Sequence, residues 1–190
     1  MRKALPETKE KFIDAALKEL YLNGTAGFSI RNVAKECGLS CAAPYRHFKS
    51  KNDLIEEVIN AVSERWRVRV MLLLANHAGT TREKITDIAI EYIRFLCENP
   101  GYFSVAVMNE KFLSPEQVRK KSLISAEVRK VIDGYCKEVD MSEEAKKRKT
   151  FIVRALILGT AEMMTADSLR YTEENIAMVR ACIEREFDIE

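Results

Sequence analysis

Turn-forming residues are scarce in this chain, with 7 glycines and 4 prolines among 190 residues. A collagen-like repeat or a flexible linker composition is thereby excluded, and a β-sandwich would need denser turn punctuation. Histidine is scarcer, at 2, and no zinc-type ligand spacing occurs, so neither a metal nor a cofactor is expected. The 5 cysteines form an odd set without a CxxC pair, which points to reduced thiols rather than a disulfide framework. Long apolar runs are missing too. The most apolar stretch, Phe151 to Ala166, contains Arg154 and Glu162 and falls short of the roughly 20 nearly uncharged residues of a membrane span. Charged residues follow directly on Met1, unlike an export signal, so a cytoplasmic location and no membrane partner are expected.

Hydrophobic residues at 47% and charged residues at 32% can build a core and a solvated surface. A net charge of only +2 argues against disorder. Abundant Ala, Leu, Glu, Lys and Arg favour helix. The charge is unevenly spread: residues 1–51 carry twice as many Lys and Arg as Asp and Glu, whereas the remainder is mildly acidic. A basic end on a mildly acidic body suggests a surface that faces nucleic acid.

Helical periodicity runs almost from end to end and predicts an all-α fold of about nine helices. Phe12, Ile13, Ala16, Leu17, Leu20 and Tyr21 form the apolar face of a first helix, stopped by Asn23-Gly24. Ser29 N-caps a short second helix with Ile30, Val33, Ala34 and Cys37 inside. After a Gly38-Leu39 turn, a third runs from Ser40 to about His47. Ser50 and Asp53 form a capping box for a long fourth. A fifth starts at Thr80 and ends at Asn99-Pro100-Gly101, and a sixth covers Tyr102 to about Phe112. The seventh starts at Ser114-Pro115-Glu116-Gln117 and reaches about Lys137. The eighth runs from Ser142 to about Tyr171, and the ninth follows Thr172.

Two short helices joined by a tight glycine turn make a helix-turn-helix. The start of its second helix, Ser40-Cys41-Ala42-Ala43-Pro44, has no bulky side chain to keep it out of a major groove about 12 Å wide. Leu39 is placed to plug the gap between the helices. Tyr45, Arg46, His47, Lys49 and Lys51 supply phosphate partners beside that reading surface. The alternative is an all-α domain that merely contains a glycine turn.

Residues 8–55, with the run Tyr45-Arg46-His47-Phe48-Lys49-Ser50-Lys51-Asn52-Asp53-Leu54 following the glycine turn, resemble the DNA-binding module of TetR-type transcriptional regulators. The length and helix layout resemble that family as well. The resemblance implies an N-terminal helix-turn-helix domain over 1–51 and an effector-binding and dimerisation domain over 52–190. It also implies a homodimeric repressor on a two-fold symmetric double-stranded operator, released by a small-molecule effector. Ser40, Cys41, Ala42 and Pro44 would then face bases. Ser29, Tyr45, His47 and Lys51 would hold phosphates, with Arg31 and Arg46 as further contacts. With so few side chains able to make paired base contacts, specificity should lean on thymine methyls, Ser40 and DNA shape. Cys41, exposed there, is a small groove-facing residue or a redox switch; Cys37, Cys97, Cys136 and Cys182 are expected in the core.

In the body, Phe151 to Ala166 is apolar on most sides, so one side is expected to meet another subunit. Phe151, Ile152, Ala155, Leu158 and Gly159 with Ile176, Val179 and Ile183 would build a four-helix interface across a two-fold axis. Tyr92, Phe95, Leu96, Phe103, Val107, Met108, Phe112 and Met163 are candidates to line a largely apolar effector pocket, the alternative being plain core. No nucleophile elbow, phosphate loop or carboxylate–histidine constellation is present, so an enzyme is not expected. A helical small-molecule binder or enzyme without a DNA role, or an adaptor whose basic end meets an acidic protein, are the competing functions.

Overall fold

Residues 6–108, 113–115, 117, 118 and 126–188 are described by the structure, a computed structural model. Among them are eight α-helices and no strand: α1 (Pro6–Gly27), α2 (Ile30–Glu36), α3 (Lys51–Ala75), α4 (Thr81–Glu98), α5 (Pro100–Ala106), α6 (Ala126–Glu138), α7 (Glu143–Thr165) and α8 (Glu173–Asp188), with a 3-10 turn at Pro44–Arg46. The all-α class is as expected, and no helix among the described residues is long and apolar enough to cross a membrane. By contact the chain groups into two compact units, Met1–Arg65 with Pro100–Ile124 and Trp66–Asn99 with Ser125–Glu190.

In the first unit, α1 buries Phe12, Ala16, Leu17 and Leu20, a spacing that keeps them on one helical face. Tyr21, expected beside them, is exposed. At the predicted stop the helix kinks rather than ends: Gly24 has φ 61 and ψ −178, a region open in practice only to glycine, and helix resumes to Gly27. The start of α3 is fixed by Ser50, whose Oγ accepts the Asp53 N–H at 3.1 Å. The Asp53 carboxylate accepts the Lys49 N–H at 2.6 Å, one residue before the cap. The expected sixth helix ends early, at Ala106. The Ser114–Gln117 helix start is present, each residue's N–H donating to the other's side chain at 2.8 and 3.2 Å.

In the second unit, α4 starts at a reciprocal Thr80–Glu83 capping box. Its Ala89, Ile90 and Ile93 pack with Met164 of α7 and Val179 and Ile183 of α8. Trp66 and Phe95 are sealed in the core with ring centroids 5.4 Å apart. Two cations close the end of α8: Lys149 Nζ donates to the Glu186 carbonyl at 2.7 Å and Arg82 to the Glu184 carbonyl at 2.9 Å, where the helix dipole favours positive charge. Helix α7 stops at Thr165 rather than near Tyr171, because Asp167 turns left-handed at φ 56.

Candidate nucleic-acid interface

Within the first unit, α1 is the bed on which the helix-turn-helix rests. Phe12 lies 5.6 Å from His47 and 6.0 Å from Phe48, centroid to centroid, and Phe48 is buried. Glu19 of α1, itself buried, accepts the Ser29 N–H at 3.1 Å and the Asn32 side-chain amide at 2.9 Å. A carboxylate from another helix therefore caps α2, whose own N-cap Ser29 makes no side-chain cap bond. That leaves the Ser29 hydroxyl to serve elsewhere. Glu19 was missed from sequence because a lone Glu on an amphipathic helix looks like solvated surface. The signal was its spacing: it falls between Ala16 and Leu20 on the buried face.

The turn after α2 forms as expected, with Gly38 at φ 68. Leu39, expected as an inter-helix plug, is instead 43% exposed. The segment from Ser40 is not the expected α-helix. Pro44 has no N–H to give the Ser40 carbonyl, and that carbonyl takes the Ala43 N–H at 2.9 Å. A tight turn and the 3-10 helix Pro44–Arg46 result. Ser40, Cys41 and Ala42 are exposed, as a reading surface requires. Pro44 is not: it is buried, so it supports the segment from beneath and cannot face a base.

Around this segment the candidate phosphate partners are accessible. Tyr45 is 57% exposed, Arg31 and Arg46 are exposed, and His47 and Lys51 are half-buried. Lys51 Nζ stands 5.7 Å from the Phe28 ring, a cation–π contact that restrains its long side chain. Elsewhere in the unit cations are paired: Lys9 with Glu57 at 2.7 Å, Lys18 with Glu36 at 2.6 Å and Arg65 with Asp14 at 3.1 Å. Arg31, Lys35, Arg46, Lys49 and Lys51 have no carboxylate partner among the described residues. Among the described residues no group of His, Cys, Asp and Glu could hold a metal.

The candidate effector residues separate. In the first unit, Phe103, Val107 and Met108 line a cavity of about 350 Å³ with Leu20, Tyr21, Gly24, Thr25 and Ser104. The kink at Gly24 is part of its wall. In the second unit, Phe95 and Leu96 are fully buried core. Tyr92 packs on Trp66 at 4.6 Å, and burial pushes its phenol up to about 12. Met163 is exposed on α7. Phe112 lies outside the described residues.

Helix α7 has two faces. Val153, Leu156 and Ile157 pack on the core of the second unit. Ala155 and Gly159 are exposed, Phe151 is 72% exposed, and Ile152 and Leu158 are half-buried. On α8, Val179 and Ile183 are buried in their own chain and Ile176 packs against the same cluster. Val179 and Ile183 are therefore not free to meet a partner, Ile176 is half-buried, and Met178, Ala181 and Cys182 point outward. Cys182, expected in the core, is exposed, whereas Cys136 is buried.

Residues 12–58 match the family model described as bacterial regulatory proteins, tetR family. The nucleoid occlusion factor SlmA of Aliivibrio fischeri (strain MJ11) is 27% identical over 155 residues, covering 81% of this chain and 77% of that protein. A TetR family transcription regulator from Marinobacter aquaeolei VT8 superposes with a TM-score of 0.79 at 19% identity, over 98% of both chains. The transcriptional regulator FadR from Bacillus subtilis, solved in complex with stearoyl-CoA, gives 0.71 at 17% identity, over 93% of this chain and 96% of that one.

Proposed function

We propose, for a chain that carries the TetR-type module over residues 12–58 on a TetR-like all-helical fold, a DNA-binding transcription regulator acting as a homodimeric, effector-released repressor. The carrying observation is the row of cations without carboxylate partners among the described residues along α2, the 3-10 turn and the start of α3, beside an exposed surface of small residues. Such an arrangement suits a phosphate backbone, with Ser40, Cys41 and Ala42 at base edges. Arg31, Tyr45, Arg46, His47 and Lys51, with the uncapped Ser29 hydroxyl, take the phosphates.

Dimerisation is supported by the outward face of α7 and α8. Phe151, Ala155, Gly159, Met163, Met178 and Cys182 leave an apolar, partly small-residue stripe in water, the kind of patch that marks an interface. Gly159 in mid-helix costs about 1 kcal/mol relative to Ala, and a Cβ there would meet nothing in its own chain. Close approach of a second copy gives that glycine a purpose. Two reading heads would then sit about one helical turn of DNA apart, 34–36 Å, or a multiple. The effector site is the cavity between α1 and α5, which no charged side chain lines, so the ligand is small and largely apolar. By linkage, an effector that releases DNA binds the DNA-free form more tightly.

The test is selection from a random duplex pool, followed by anisotropy titration at several salt concentrations. A two-fold symmetric consensus bound far above random duplex is the expected result; no enrichment and only non-specific affinity would overturn the reading. A nucleoid occlusion role is the second reading, favoured by the identity to SlmA across most of the chain. Deletion that misplaces division without changing transcripts would support it over transcriptional control.

A further inference from the structure

Gln117 is 2% exposed, and its carboxamide is used at both ends. Its Oε1 accepts the Ser114 N–H at 2.8 Å, which completes a helix-start box with Ser114. Its Nε2 donates to the carbonyl of Asn52 at 2.9 Å. The second bond is superfluous for capping, and it spans a sequence separation of 65. Its target is the first turn of α3, the residue next to Lys51, where Ser50 and Asp53 already fix the backbone. A buried amide with both functions satisfied holds its partners in one geometry, because breaking either bond leaves a desolvated polar group behind.

We propose that Gln117, which touches no DNA, is a positioning residue for the phosphate contact of Lys51. The Gln117 amide pins the Asn52 carbonyl, the carbonyl fixes the first turn of α3, and that turn aims the Lys51 side chain, already restrained by the Phe28 ring. This role rests on the DNA-binding reading above. Glutamine is the side chain that fits: it supplies an acceptor for Ser114 and a donor for Asn52 at one spot.

The test is a double-mutant cycle on the full chain with its selected operator, read by anisotropy at fixed salt. Gln117→Glu keeps the acceptor toward Ser114 and sets an oxygen against the Asn52 carbonyl; Gln117→Met removes both bonds without adding charge. Each should weaken operator binding about fivefold, the equivalent of one lost hydrogen bond. In a Lys51→Ala background the same changes should weaken it no further. A merely structural role predicts the same factor in both backgrounds, and that result overturns the proposal. So does operator affinity unchanged by either substitution. Circular dichroism identifies a variant that fails to fold, and Gln117→Met then carries the test. If the unaltered protein binds no operator, the functional reading falls, and the positioning role with it.

Discussion

At the scale of single residues, the candidate interface is built by supporting groups such as Glu19 as much as by the exposed cations proposed to meet DNA. Lys51→Ala removes one proposed phosphate contact, so the slope of log affinity against log salt should become shallower by about 1, with sequence preference retained; a titration series on operator and random duplex checks both. Glu19→Ala removes the cap of α2 and leaves the Ser29 N–H and the Asn32 amide without their acceptor. It should cost about 1–2 kcal/mol of stability in a thermal or urea melt and weaken operator binding without changing the salt slope. Of these two, Lys51 was a candidate in the sequence because charge beside a helix-turn-helix has an obvious use. Glu19 was not, because what it caps lies on another helix.

At the scale of elements, local rules predicted boundaries well where one residue dictates the backbone. Gly38, the Ser50 and Thr80 caps and the Asn99–Pro100 break all fall where sequence chemistry puts them, and Gly24 kinks α1 where a stop was expected. Gly24→Ala should destabilise the protein by about 1–3 kcal/mol in a thermal melt, although open space surrounds the added methyl, because the cost is the backbone conformation rather than a clash. The reading segment is the instructive departure. A proline early in a helix is usually harmless, yet here Pro44 faces inward and the turn tightens to 3-10. Propensity alone did not reveal which way that ring points.

At the scale of the whole molecule, two expectations concern assembly and pH. Gly159→Arg should convert the proposed dimer to a monomer in sedimentation velocity, while the helix content by circular dichroism stays intact, since the site is open within the chain and arginine favours helix over glycine. A variant that remains dimeric would remove α7 from the interface. The pH expectation concerns Asp87, partly buried, where desolvation raises its carboxyl but hydrogen bonds from Arg180 and His77 outweigh it and hold it below the ordinary 3.8. Its folded value lies below its unfolded one, so its stabilisation is present at pH above about 4 and is lost as pH falls through the folded value. Asp87→Asn should therefore lower the melting temperature at pH 7, and the gap from the unaltered protein should narrow as pH falls below about 4.

The sequence was sufficient for the helical class, for α2 with its glycine turn and for the basic character of that end, because periodicity, caps and turn glycines are local and each acts through its own backbone; it did not give the 3-10 form of the reading segment. The comparisons carried the same reading to the TetR-type module. Tertiary packing determined the rest. Val179 and Ile183 have the bulk expected of an interface but fill their own chain's core, while the small and flexible Gly159, Met163 and Met178 remain outside. The apolar candidates Phe95 and Phe103 look alike in one dimension, yet one is sealed in core and the other lines a cavity. Periodicity says that a residue is turned inward; only the arrangement of the neighbouring helices says whether anything fills the space it faces.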